Sequence, residues 1–232
     1  MTKTINLGVL GIDHGHIFDM LDEMLKEGCS CNYFWTEGSP LTLDEFKKRY
    51  PQIKKVDNKS DILNDDTIDM ILISSIPKDR ANLSIDAMKA GKDVMVDKPG
   101  CTTLEQLNNL KQTVKETGKI WSINFSERFH VAAVTKAEEL VAEGKIGKVK
   151  QTIGTGPHRQ GNYERPDWFY DRDSYGGIIT DIGSHQIHQF LVFTNSNEAK
   201  VNHALVENTT KKEFAGFQDF GEVNLTGNGG HG

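Results

Sequence analysis

An excess of positive charge is missing from this chain: 27 Lys and Arg stand against 33 Asp and Glu, a formal net charge of −6. No broad cationic surface is left to release counterions from a phosphate backbone, which argues against DNA or RNA as a partner. Long apolar runs are missing too. The most apolar window, Met70–Ile76, is far shorter than the ~20 residues that cross a bilayer, so no membrane association is expected. The start, Met1-Thr2-Lys3-Thr4-Ile5-Asn6, carries neither a long apolar segment nor a small-residue cleavage site, so no signal peptide is expected. Cysteine is scarce: Cys29, Cys31 and Cys101 are odd in number and without repeated spacing, which suits a reducing compartment and small packing roles better than a disulfide framework. A cytoplasmic location is the expectation. Internal repeats, low-complexity tracts and Pro/Ser-rich linkers are also absent.

What is there is an ordinary globular composition, 37% hydrophobic and 26% charged over 232 residues, enough for one large or two modest domains. The first half alternates short apolar runs with segments of helical period. Ile5–Leu10, Asn32–Trp35, Asp69–Ile76, Asp93–Val96 and Ile120–Asn124 read as strands. His16–Lys26, Leu43–Tyr50, Asp61–Leu63 behind a Ser60 cap, Arg80–Ala90 and Leu104–Thr117 read as helices. Gly28, Gly91 and Gly118 close three of them, and Pro77 stops the strand before it. Parallel neighbours need crossovers, so this pattern implies an α/β fold, with a doubly wound, mostly parallel sheet over residues 1–124. Residues 125–232 change character: a helix over Val131–Glu143, a strand around Val149–Thr155, a polar loop, a helix over Asp181–Phe193, and strands near Val201–Asn208 and Phe220–Leu225. They read as a smaller, incomplete α+β domain whose open sheet ends in a glycine-rich stretch without a last element.

Three segments carry candidate chemistry. Gly8-Val9-Leu10-Gly11-Ile12-Asp13-His14-Gly15-His16 lies between the first strand and first helix, where a dinucleotide diphosphate sits against helix amides in doubly wound sheets. Gly11 matches the first glycine of G-x-G-x-x-G, whereas Asp13 and His16 occupy the second and third; an aspartate there repels a diphosphate. Glu37, after the second strand, is placed to accept from ribose hydroxyls. The second segment puts Asp97, Lys98 and Pro99 at the C-terminal end of a strand, where ligands of open sheets gather. A lysine held there can polarise a hydroxyl. In the third, Asp181, His185 and His188 share one helix face behind Gly176-Gly177. That face suits acid/base chemistry or a metal.

Together these segments resemble the glucose-fructose oxidoreductase and inositol dehydrogenase family, Gfo/Idh/MocA. Ala87-Met88-Lys89-Ala90-Gly91-Lys92-Asp93-Val94 through Asp97-Lys98-Pro99 looks like the family's A-L-x-A-G-K-H-V followed by E-K-P. Gly176-Gly177 through Asp181 and His185 looks like its G-G-x-x-x-D-x-x-x-H. Ser75-Ile76-Pro77 resembles its [ST]-P step, and Ile146-Gly147-Lys148-Val149 its entry into the second domain.

The resemblance implies a Rossmann domain that binds NAD or NADP, followed by an α/β domain that contacts a sugar or polyol substrate and pairs copies through its sheet. It implies Lys98, Asp181 and His185 as catalytic residues, and no metal. Gly11, Asp13, His14, Gly15, His16, Glu37, Ser75, Pro77, Asp97 and Lys98 are the implied cofactor contacts, with a cis bond before Pro99. Asp13 and His16 depart from the family pattern, as do His188 and Ala81, and the chain reads as truncated after Gly232. Two other readings stand beside it: a metal-dependent hydrolase or lyase on Asp181, His185 and His188, and a binding protein without turnover.

Overall fold

A computed structural model describes residues 4–159 and 165–232. Met1–Lys3, part of the segment on which the leader reading rests, lie outside them. The chain divides into two compact units, the first running to Asn124 with Ser174–Gly176, the second holding Phe125–Asp173 and Gly177–Gly232.

The first unit contains β1 (Asn6–Leu10), α1 (His16–Lys26), β2 (Ser30–Trp35), α2 (Leu43–Arg49), β3 (Lys54–Lys55), α3 (Lys59–Leu63), β4 (Met70–Ile73), α4 (Pro77–Lys89), β5 (Asp93–Asp97), α5 (Leu104–Thr117) and β6 (Trp121–Asn124). The six strands are all parallel, in the order β3-β2-β1-β4-β5-β6. This is the doubly wound sheet that the sequence implies. Its central strands are buried on both faces, which is why β1 and β4 read as nearly unbroken apolar runs.

Alternation along the strands sorts the side chains onto the two faces. Leu7, Val9 and Leu72 pack with Ile17, Phe18, Leu21, Phe34 and Phe46 on one side. Leu10, Ile71, Ile73, Val94 and Val96 pack with Ile62, Ala87, Met88 and Leu110 on the other. Each fully buried aliphatic side chain contributes roughly 1.5–3 kcal/mol.

Several boundaries differ from the sequence expectation. Pro77 does not only end a strand. Its fixed φ suits the first helical position, so α4 starts there rather than at Arg80. The strand expected to reach Ile76 therefore ends at Ile73. The first position of α3 is Lys59, with Asn58 before it, so Ser60 is not the cap. The two-residue β3, Lys-Lys, has no apolar period to reveal it; it exists by pairing with Tyr33 and Phe34.

The second unit contains α6 (Ser126–Phe129), α7 (Ala132–Ala142), a 3-10 turn (Asp167–Tyr170), α8 (Arg172–Tyr175, which straddles the division), a π-helical turn (Ile179–Gly183), α9 (Ser184–Phe193), β7 (Ala199–Glu207) and β8 (Phe220–Gly227). The last two form an antiparallel pair. The strand expected around Val149–Thr155 is reduced to one bridge, Gln151 to His231, because the chain tail is the only backbone partner found beside it among the described residues. That tail does have structure. It turns at Gly227–Gly230 and returns along β8, with Gly232 and Leu225 exchanging hydrogen bonds at 3.0 and 2.8 Å.

Gly11 closes β1 with φ of +79°, and a Cβ there would stand 2.4 Å from the Ser75 Cβ. Gly11→Ala is expected to lower unfolding free energy by about 2–3 kcal/mol, measured by urea denaturation; an unchanged midpoint would mean that the turn relaxes freely.

Candidate functional site

Strand order reverses between β1 and β4, so their C-terminal ends border the crevice in which doubly wound sheets hold ligands. The residues singled out from the first two segments converge on this edge. Gly11 donates to the Trp35 carbonyl (2.7 Å) and accepts from the Ser74 amide (3.2 Å), while His14 donates to the Ser74 carbonyl (3.0 Å). The β1–α1 turn is thus stitched to both neighbouring strands. α1 begins after Gly15, which has open space where a side chain would stand. Its first amides are partly used: the His16 amide donates to His14 Nδ1 at 3.3 Å.

The Asp13 carboxyl lies within electrostatic reach of Arg80 and Asp79. Burial pushes its pKa up to about 6, partly offset by Arg80 and reinforced by Asp79. Ser75 lies buried beside this turn and Pro77 opens α4. Glu37 is exposed just beyond β2, and its charge, after burial, helps hold the Asp79 carboxyl above the ordinary range.

Asp97 ends β5 fully buried. Its Oδ1 lies 2.8 Å from His16 Nδ1, and its Oδ2 lies 3.3 Å from His14 Nδ1 and 3.0 Å from an Arg80 guanidinium nitrogen. Burial opposes ionisation of Asp97, but Arg80, His16 and His14 outweigh it and hold its carboxyl well below the usual carboxylate range. Burial conversely lowers the pKa of His14. Arg80 is 1% exposed and reaches further: Nε donates to the Ser75 carbonyl at 2.8 Å, and Nη1 donates to the carbonyls of Lys98 and, at 3.4 Å, Pro99. Lys98 is itself buried, and the Lys98–Pro99 peptide is cis. The sequence reading passed over Arg80. Nothing in the composition of a helix start shows that its arginine points inward.

Candidate ligand atoms of His14, His16 and Asp97 lie within 4.8 Å of one another. The His16–Asp97 hydrogen bond and the ion pairs to the same carboxylate account for this spacing, and the Arg80 charge 3.0 Å from Asp97 opposes a bound cation. Asp181, His185 and His188 do not form such a group among the described residues. The metal-hydrolase reading gains nothing from the structure.

Gly176, the last residue of the first unit, and Gly177, in the second, adopt φ of +91° and +89°, and a Cβ on Gly177 would meet the Gln218 side chain at 2.7 Å. The Gln218 Oε1 accepts from the Ile178 amide at 3.0 Å, fixing the turn that precedes Asp181. Asp181 lies in the π-helical turn and His185 in the first turn of α9, so the regular helical face expected over Asp181–Phe193 is interrupted between them. Such π turns concentrate at functional sites.

His185 is 2% exposed and packs edge-on against Phe125 with ring centroids 6.0 Å apart. His188 stacks on the same ring at 4.2 Å, and its Nε2 faces Arg128 at 3.4 Å. Arg128 forms a bidentate pair with Glu138 at 2.6 and 2.9 Å. Burial, then Arg128, lowers the His188 pKa. His158 reaches Glu127 at 3.5 Å, while Arg165 lies over Phe169. The aromatic loop is packed by Tyr170 on Phe214 and Phe169 on Phe217. These contacts give that loop an ordinary anchoring role.

The residues at the β1–β4 crevice fit a dinucleotide: an open helix start at Gly15, a tight glycine turn, and a carboxylate beyond β2. The raised pKa of Asp13 has a consequence for stability. A carboxyl whose folded pKa exceeds its unfolded value is kept protonated by folding, so stability falls as pH rises from about 4 to about 6. Asp13→Asn is expected to raise unfolding free energy at pH 8 by about 2 kcal/mol, with little change at pH 4. An equal effect at both pH values, in denaturant melts, would contradict a raised Asp13 pKa.

Two family profiles match the chain: one described as "Oxidoreductase family, NAD-binding Rossmann fold" over residues 41–125, and the "GFO/IDH/MocA C-terminal domain" over residues 134–231. A crystal structure of a "putative oxidoreductase" from Erwinia carotovora atroseptica SCRI1043 is 38% identical, with a TM-score of 0.95, over 99% of this chain and 68% of that one. The scyllo-inositol 2-dehydrogenase (NADP(+)) IolW of Bacillus subtilis strain 168 is 25% identical over 194 residues, 81% of this chain and 51% of its own. D-xylose dehydrogenase of Paenarthrobacter nicotinovorans is 30% identical over 129 residues, 53% of this chain and 33% of its own. The chain therefore spans about half or less of these curated relatives. With both domain profiles matched in order and the fold shared along its length, the chain belongs to the Gfo/Idh/MocA oxidoreductase family, whose Rossmann domain is NAD-binding.

Proposed function

We propose that this protein is an NAD(P)-dependent oxidoreductase that acts on a CH–OH group of a sugar or cyclic polyol. The observation that carries the reading is the placement of Lys98: buried, at the C-terminal end of β5, one strand from the β1–β4 crevice, with its backbone held by Arg80. The names of the relatives, an inositol and a xylose dehydrogenase, support the substrate class.

The nicotinamide cofactor, when bound, accepts or returns the hydride. In this reading the β1–α1 turn from Gly11 to His16 lies against its diphosphate, with Ser75, Pro77 and Asp97 along the crevice. Glu37 accepts from a ribose hydroxyl and disfavours a 2′-phosphate, so NAD is expected to bind more tightly than NADP. Lys98 stabilises the alkoxide as the C–H bond weakens, His185 takes the hydroxyl proton, and Asp181 orients the substrate hydroxyls. The near-complete burial of His185 suits a base shielded from bulk water.

The reading extends to partners and location. β7 is exposed along its whole length, and Val201, Leu205, Val206 and Phe220 are among the exposed apolar residues. This supports pairing of copies through the second unit's sheet. Among the described residues no helix is long and apolar enough to cross a membrane. The three cysteines are free, which supports a reducing compartment such as the cytoplasm.

A titration with NADH and NADPH, followed by nicotinamide fluorescence and melting temperature, tests the reading. Saturating NADH at about 100 times its Kd should add about 2.7 kcal/mol to stability. Lys98→Met is expected to lower kcat about 100-fold or more with polyols at 340 nm, with NADH affinity within about threefold. Folded protein that binds neither nucleotide would overturn the proposal, and loss of NADH binding in Lys98→Met would make Lys98 a cofactor residue.

A further inference from the structure

We propose that Arg80 is the positioning residue for Lys98, setting the backbone from which the lysine reaches its substrate. The inference rests on the reading of Lys98 given above. A single guanidinium holds the chain on both sides of that lysine: it pairs with the side chain of the preceding Asp97 at 3.0 Å and donates to the carbonyls of Lys98 and Pro99. Its Nε is anchored on the Ser75 carbonyl, within the β4–α4 connection. The planar guanidinium places donors on three carbonyls at once while its charge sits beside Asp97, whereas a lysine ammonium, a point charge on a flexible stem, cannot.

A merely structural role would need less. A buried ion pair contributes little net stability compared with apolar side chains of the same volume. This pair is joined by two histidines that bring the start of α1 to the same carboxylate. The arrangement therefore links the turn assigned to the cofactor, the β4–α4 step and the catalytic lysine through one side chain. A displacement of about 1 Å at a reacting group can cost on the order of 100-fold in rate, so loss of this link should be read in kcat rather than in cofactor affinity.

The test is Arg80→Lys in the full chain, which keeps a positive charge beside Asp97. The expected result is a kcat lowered about 100-fold, NADH affinity within about threefold of the parent, and faster amide exchange over residues 97–101 but not over β1. Arg80→Ala is expected to recover at least about tenfold in kcat with added guanidinium, since a free cation can refill the planar site. Should Arg80→Lys fail to fold, Arg80→Gln, which keeps an amide donor and leaves Asp97 in place, carries the same kinetic, binding and exchange measurements.

A kcat within threefold of the parent, no rescue by guanidinium, or exchange quickened equally throughout the sheet would overturn the proposal. Parent protein that binds NADH yet oxidises no polyol would fail the underlying activity reading. The exchange measurement would still decide whether Arg80 clamps the segment around Lys98.

Discussion

The ion pair between Arg80 and Asp97 is the constraint on which the active edge of the first unit depends. Both groups are almost wholly removed from solvent, and both have further partners: Ser75, Lys98 and Pro99 for the guanidinium, His14 and His16 for the carboxylate. Three connections, β1–α1, β4–α4 and β5–α5, meet in this cluster. Removing one partner of such a pair leaves a buried charge without compensation, at a cost of about 3–5 kcal/mol, whereas replacing both by apolar groups is often neutral. The pair's value therefore lies in where it puts the backbone.

That placement follows from the sheet. Parallel strands covered on both faces leave their polar C-terminal ends as the one edge where loops and helix starts come together. The reversal of strand order at β1 and β4 opens a crevice there. Gly11 lets the first turn pass against Ser75, and the Asp13 carboxyl lies within electrostatic reach of Arg80. The second unit supplies its own fixed elements. Gly177, Gln218 and the π-helical turn set Asp181, while Phe125 packs against both His185 and His188.

Much of this was legible from residue order alone. The apolar runs of β1 and β4, the helix-closing glycines and the Asp97-Lys98-Pro99 step are local signals, and local signals survive in a sequence. The short β3 was not legible, because two lysines gain strand geometry only from the neighbour they pair with. The start of α4 was misjudged because Pro77 both ends a strand and begins a helix. Among the described residues, the strand expected near Val149 has no partner other than the tail. Arg80 was invisible for a related reason: burial of a cation is decided by acceptors from positions 75 and 97–99, which no window of sequence brings together.

The most direct measurement of the central claim is a double-mutant cycle in unfolding free energy over Arg80→Met, Asp97→Leu and the two combined. Each single change is expected to cost about 3–5 kcal/mol and the combined protein to lie within about 2 kcal/mol of the parent, a coupling of several kcal/mol. Additive losses, with coupling below about 0.5 kcal/mol, would contradict it and leave the two residues as independent contributors to packing.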